Sequence, residues 1–497
     1  MSTYSHSVCV RASVILIFAV CVVLTVAAPA QVSLTQLSVD TFTDQPSQHA
    51  TEVEPGAFSY GSTIVTAFQV ARIFSGGGAD IGFATSTNAG VSWTNGYLPG
   101  ITIYQGNGTY DAASDAAVAY DAMHGVWLIS TLPISNVNSN AVAVNRSTDG
   151  LNWSGPHMVT TSGNPDKNWI VCDNTATSKY YGHCYSEWDD GGQILMSTST
   201  DGGVTWGPAK TTAGNDSGIG GVPVVQPSGK VIVPIAGFSG FMIAFNSTNG
   251  GQSWTKAVNI ATYPSHAEDG GIRSAGLPSS AIDAKGKVYV AWSDCRFRNP
   301  CAENDIVYST SATGTSWTKV KRIPIDPISS TVDHFITGMA IAPGTKGATA
   351  KITLAYYYYP VSACGNSCKL YAGVIQSANA GTTWSPAQSL AGPMNVEQWL
   401  PNTFSGYMVA DYISVGYGNG KAYPVFAVAQ AKNGSLFQQA IYTTATGLAE
   451  AGPEVEQLSS EGDVPVPNAH SDHGPMEFYD QEHRFPIPGR RPPDNRD

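Results

Sequence analysis

The sequence predicts an all-β protein, a β-propeller of four-stranded blades, with seven blades favoured and six as the alternative. Three observations carry that expectation. The 497-residue chain holds 52 Gly and 30 Pro, with 10% aromatic and only 12% charged residues, a composition suited to many short strands joined by tight turns. A short stretch ending in tryptophan recurs six times. Each copy is preceded by a strand–turn–strand pattern, and a seventh such pattern follows the last copy.

In chain order, Arg11 is followed by the apolar run "ASVILIFAVCVVLTVAA", and "APA" at 28–30 supplies small residues for cleavage. Residues 1–30 therefore read as a signal peptide, with an uncleaved anchor as the alternative. The run is shorter than the ~20 apolar residues that usually span a bilayer, so no stable membrane insertion is expected after cleavage. The mature chain is expected outside the cytoplasm, secreted or periplasmic. A formal net charge of −12 with no basic run before the tail argues against a nucleic-acid partner.

The recurring stretch is best formed at 199–206, "STDGGVTW". Looser copies read "STNAGVSW", "STDGLNW", "STNGGQSW", "SATGTSW" and "SANAGTTW". Their closing residues are Trp93, Trp153, Trp206, Trp254, Trp317 and Trp384, spaced 48 to 67 residues apart, which marks a repeat architecture. Asn88, Asp149, Asp201, Asn249 and Asn379 sit where a side-chain oxygen can accept from backbone amides just ahead of it. Glycine allows the positive φ of a tight reversal, and the tryptophan can fold back as an apolar plug between sheets. Flanking runs such as "DIGFAT" and "FMIAFN" place each stretch on a hairpin turn.

Four strands per unit, repeated radially, make a propeller over residues 31–447. The last unit has three clear strands, and "VSLTQLSV" (32–39) is expected to supply its fourth and close the ring. Residues 448–497, rich in Pro, Asp and Glu, read as a disordered tail. Six cysteines follow the leader: Cys172, Cys184, Cys295, Cys301, Cys364 and Cys368. Six thiols allow 15 pairings, and proximity in an oxidising compartment favours three local bridges.

The six stretches resemble the Asp-box, or BNR, repeat (Ser-x-Asp-x-Gly-x-Thr-Trp) of sialidases and their relatives. The likeness covers most of the mature chain and bears on fold more than on activity, since such boxes occur in sialidases, glucan hydrolases and non-enzymatic propellers. The run "YVAWSDCRFRNPCAENDIVYSTS" with "VDHFITGMAIAP" and "MVADYIS" is similar to secreted bacterial proteins labelled sialidase-like. A sialidase resemblance implies three arginines for the substrate carboxylate, a Tyr nucleophile with a Glu, and an Asp acid/base. The first arginine belongs in an Arg-Ile-Pro motif on the first blade. Here that region, "EPGAFSYGSTIVTAF", has no arginine, and Arg322-Ile323-Pro324 follows the fifth box instead.

Antiparallel strands put the boxes and the first turns of each blade at one end, and all other connections at the opposite end. That opposite end is expected to bind ligands. It collects Asp115, Asp166 with Lys167, Glu268 and Asp269 with Arg273, Asp333 with His334, and Asp411 with Tyr412, all before first strands. After second strands come Arg72, Glu187 with Asp189, Asp294 with Arg296, and Tyr356 to Tyr359. Asp166 and Asp333 are the acid–base candidates for a glycosidic bond. Arg72, Arg273, Arg296, Asp115, Asp294, His334, Asp411 and Tyr412 are the ligand-binding candidates. The Asp294/Arg296 pair also reads as a structural brace. No metal-ligand set is legible and no cofactor is certain, although Ca2+ shared among these acids is an equally physical use of them.

The expected partner is an extracellular carbohydrate or glycoprotein, bound and, if the protein is an enzyme, hydrolysed. A non-catalytic scaffold propeller is the alternative. The third reading is an exo-sialidase whose arginine triad is assembled from Arg72, Arg273 and Arg296.

Overall fold

The computed structural model describes residues 32–274, 276–450 and 458–459. The leader expected over 1–30 and most of the tail expected over 448–497 lie outside the described residues. Strands dominate; the described helices are the four-residue turn Val396–Trp399 and a 3-10 turn at Gly347–Thr349.

The strands fall into seven antiparallel four-stranded units. The units open with Glu52–Tyr60, Ala112–Asp121, Pro165–Cys172, the broken pair Gly218–Ile219 and Val224–Val225, Ser279–Ile282, Asp333–Ile341 and Ser414–Gly418. The first two units share one sheet through the pair Gly78↔Ala113. Opening strands touch in chain order, and Ser414–Gly418 packs back on Glu52–Tyr60, so the contacts run round a ring. The fourth strand of the last unit comes from the other end of the chain: Leu34–Gln36 pairs with Leu436–Thr444. This is the role expected of residues 32–39.

The apolar core lies between consecutive sheets. Tyr185 and Met196 of the third unit pack with Val231, Val233, Phe245 and Trp254 of the fourth. Such strands are buried on both faces, as all nine residues of Gly78–Ser86 show. Each large side chain so enclosed contributes about 1.5–3 kcal/mol.

The six turn boxes tie each unit to the one before it. In the best-formed copy Asp201 Oδ1 accepts from the amides of Val204 (3.1 Å) and Thr205 (3.0 Å), while Ser199 Oγ accepts from the Gly203 amide at 2.9 Å. Asn88, Asn249 and Asn379 make the same bond to the residue four ahead through their amide oxygens. The closing rings then seat on the preceding unit: Trp93 on Tyr423, Trp153 on Phe83, Trp254 on Tyr185 and Trp384 on Tyr308. Gly90 shows why the box needs glycine. Its φ is +86°, and a Cβ there would meet the Tyr423 ring at 2.2 Å.

Three local disulfides close as proximity favours: Cys172–Cys184, Cys295–Cys301 and Cys364–Cys368. Two short segments within the stretch expected as a disordered tail are paired instead. Leu448–Ala449 pairs with Lys421 and Ala422, and Leu458–Ser459 with Thr383–Trp384.

Candidate functional site

Opening strands carry a repeated irregularity at the end away from the boxes. Their register with the second strand slips between Val53 and Gly56, Ser114 and Ala117, and Asp166 and Trp169. Within the slips Glu54, Asp115 and Lys167 adopt φ of 55°, 50° and 47°. Non-glycine residues seldom take this conformation, and β-bulges are a means of re-aiming a side chain. Here the bulges turn three charged groups from three units toward one another.

Lys167 Nζ lies 2.7 Å from Asp411 Oδ2, 3.1 Å from Glu54 Oε1 and 3.5 Å from Asp115 Oδ2. Arg273 closes on Asp411 through Nε, 2.9 Å from Oδ1, and through Nη2. Gln69 bridges Glu54 and the Ser114 hydroxyl, and Arg72 Nη1 donates to Gln69 Oε1 at 3.1 Å. All of these side chains are buried. Burial works against ionised Asp411, but Arg273 and Lys167 outweigh it and hold the carboxyl well below its usual range. Burial dominates at Glu54 and raises its carboxyl well above the usual range. Two residues along from Lys167, Trp169 meets Tyr412 edge-on with ring centroids 5.3 Å apart. The third and seventh units are thus in contact across the ring.

Of the sequence candidates, this knot gathers Asp115, Arg273, Asp411 and Tyr412, with Arg72 linked through Gln69. It does not include Asp166, which lies opposite Asp189 in the sheet beside fully buried Glu187. Arg296 is held apart on Asp294, at 2.9 Å (Nε–Oδ1) and 2.6 Å (Nη2–Oδ2), the brace read from sequence. His334 is buried, with its imidazole pK lowered chiefly by desolvation. It comes near Asp305 and Asp326 as a trio of metal-type donors. Arg298 and Arg322 already pair with both of those acids, at 2.6–2.9 Å. Two carboxylates against two guanidiniums leave no net charge for a cation. Among the described residues, the acids put forward for Ca2+ form no such set of three.

Asp333 stands in a second cluster, built around the segment 264–273. The Cys295 amide donates to Pro264 O at 2.9 Å, and the Gly365 amide donates to Asp269 Oδ2 at 2.8 Å. Two disulfide-closed loops therefore clamp the segment, one at Pro264 and one at Asp269. Between the clamps, buried Asn304 is the hub. Its Oδ1 accepts from the His266 amide (2.8 Å), its Nδ2 donates to His266 O (2.8 Å) and to Glu268 Oε1 (3.0 Å), and its own amide donates to Asp333 Oδ1 (2.7 Å). Asp333 Oδ2 is buried without a hydrogen bond, 4.0 Å from His266 Nε2.

Glu268 is half-buried. Burial is the largest influence on its carboxyl, which is pushed up to about 7 against hydrogen bonds from Ser274 and Asn304. Asp333 is likewise raised well above its usual range, by burial first and by Glu268 second. Next to this cluster, the Tyr407 amide donates to Gly271 O at 2.9 Å and Tyr407 O accepts from the Arg273 amide at 2.8 Å, and Trp399 ends the turn that carries Glu397. Both aromatic rings are half-buried. The segment thus carries ionisable groups and is bordered by half-buried Tyr407 and by the turn that ends at Trp399.

Glu54, His266 and Asn304 are absent from the sequence candidates. A signal for Glu54 is present in "VEPGAF", which aligns with "SDAAVA" at 114–119 so that Glu54 falls on Asp115. Asn304 lies immediately before the strand Asp305–Ser311, and nothing local marks it.

No protein-family model matches the sequence, and no curated protein matches it. Among solved structures, the chain is similar to a polysaccharide lyase of family PL25, an ulvan lyase bound to -[GlcA(1-4)Rha3S]-, at a TM-score of 0.50 and 10% identity over 84% of this chain and 98% of that one. It is also similar to a Hadza microbial sialidase, Hz136 (TM-score 0.41, 12% identity), covering 82% of this chain and 66% of the sialidase's own length. The NanB sialidase from Streptococcus pneumoniae gives a TM-score of 0.41 and 13% identity over 82% and 70%. At such identities the likeness is one of fold.

Proposed function

We propose that this chain is a secreted, seven-bladed Asp-box propeller that binds extracellular glycans, and processes them, at the end opposite the boxes. The seven four-stranded units and the ring of opening strands support the blade count. Three disulfides, and no described helix long and apolar enough to cross a membrane, fit an extracellular setting. The observation that carries the reading is the clamped segment 264–273 on the loop-bearing end, bordered by half-buried Tyr407 and by the turn that carries Glu397 and half-buried Trp399. Rigid loops that present acids next to aromatic faces suit a polymer with many hydroxyls.

An exo-sialidase fits less well. Arg72, Arg273 and Arg296 are each bonded to an internal acceptor, and Arg296 belongs to a different cluster from the other two. The same burial of the central knot favours, as second reading, a non-catalytic scaffold whose ring interior is purely structural.

A panel of neutral, acidic and sulfated polysaccharides, with a fluorogenic sialoside, separates these readings. Retention of one polysaccharide class is expected, with no hydrolysis of the sialoside. Trp399→Ala should weaken that retention about tenfold, the loss of roughly one stacked ring. Silence across every glycan by folded protein would leave the scaffold reading standing.

A further inference from the structure

We propose that the cleft between the fifth and sixth units, at the end that bears the boxes, is an anion-binding site, and that its occupant is the acidic segment 460–482 of the same chain. The proposal is independent of the glycan reading at the opposite end.

The cleft has a volume of about 300 Å3, and its lining includes Lys287, Tyr308, Lys321, Gly347, Asn379 and Thr382. One wall is the first turn and fourth strand of the fifth unit; the other is the first turn and box of the sixth. Exposed Lys285, Lys319 and Lys346 belong to the same segments. The acids of this stretch of chain, Asp294, Glu303, Asp305, Asp326 and Asp333, lie at the other end of the two units. Asp283, on the cleft's side, is buried with both oxygens taken. Its Oδ1 accepts from the Lys285 and Lys287 amides, each at 2.9 Å, and its Oδ2 from the Gly347 amide at 2.8 Å. Burial lowers the Lys287 ammonium, Asp283 opposes that shift, and repulsion from Lys321 adds to it. An anion entering the cleft relieves the repulsion between the two lysines.

The course of the chain identifies the occupant. Lys351 Nζ pairs with Glu450 Oε2 at 2.5 Å, so the chain reaches this lysine-rich face as it leaves the last unit. Further on, Leu458 pairs with Trp384 and Ser459 with Thr383, antiparallel. That register points the chain toward Thr382 and Gly381, which line the cleft. Glu461 is two residues beyond Ser459, a reach of about 7 Å. Residues 460–482 hold six Asp and Glu and no Lys or Arg. A segment of opposite charge tethered at the edge of a cation-lined cleft meets it at an effective concentration of order millimolar, so modest attractions suffice to hold it.

The test is zero-length carbodiimide coupling on the whole chain at low salt, with linked peptides read by mass spectrometry. The Lys351–Glu450 pair serves as the internal control. Links from Lys287 or Lys321 to residues 460–482 of the same chain are expected, and raising salt from about 0.05 M to about 0.5 M should weaken them about fivefold as the Debye length shortens. The double variant Glu461→Lys, Asp463→Lys alters residues outside the seven units and should speed hydrogen exchange at 284–288 and 379–383 about threefold or more. A control link without any cleft-to-tail link overturns the proposal, as does unchanged exchange in the charge-reversed variant. Links found only between two chains overturn it in favour of a second copy. Cleft lysines that couple to no tail residue, yet are shielded by added dextran sulfate, overturn it in favour of an external polyanion.

Discussion

Glu187 shows what a single residue commits the molecule to. It is fully buried next to Gly221, where a Cβ would lie 2.5 Å from its carboxyl carbon. Burial raises its carboxyl well above the usual range, and neither carboxyl oxygen has a hydrogen-bond partner. The folded state therefore keeps a proton that the unfolded chain releases from the ordinary carboxylate range upward. Its contribution to stability is complete below that range and is lost as pH rises through the raised value. Glu52, Glu54, Asp80, Asp189 and Asp333 are shifted in the same direction. The thermal midpoint should accordingly fall between pH 5 and pH 8. Glu187→Gln, which cannot charge, should reduce that slope and leave the variant about 2 °C more stable than the parent at pH 8, from an effect of order 1–2 kcal/mol. Scanning calorimetry at both pH values checks this; parallel slopes would refute it.

At the scale of elements, turns were the most legible part of the chain and opening strands the least. A box uses contacts between residues two and four apart, so Ser199, Asp201 and Gly203 announce it within one octapeptide. The same chemistry explains why asparagine replaces aspartate in three copies: the amide oxygen accepts the same backbone donors. Asp201→Asn should therefore cost under about 0.5 kcal/mol in denaturant unfolding, whereas Asp201→Ala should cost about 1–2 kcal/mol by leaving the Val204 and Thr205 amides unpaired. Equal costs would mean that the charge, and not the hydrogen bonds, holds the turn. Opening strands hide their geometry because a bulge is invisible in a hydrophobic pattern. Asp115 and Asp166 look equivalent by eye, yet the slip puts Lys167 where Glu54 and Asp115 stand. Asp166 is left in the sheet opposite Asp189. Asp166 and Asp333, paired as acid and base because both precede first strands at the same end, fall in separate clusters.

For the molecule as a whole, counting strand–turn–strand patterns anticipated an all-β fold of repeated antiparallel sheets and the borrowed N-terminal strand, because repetition survives any error in one copy. Which charges meet across the ring was not legible, since Lys167 and Asp411 are 244 residues apart and only closure brings them together. The resulting division of labour is the central claim: boxes hold neighbouring units, a buried ion knot fills the ring interior, and the clamped loops above it meet the glycan. Hydrogen–deuterium exchange with and without a retained oligosaccharide tests that claim most directly. The account predicts slowed exchange in residues 264–274 and 396–407 with the box turns unchanged. Protection that falls on the box turns and spares the clamped segment would contradict it.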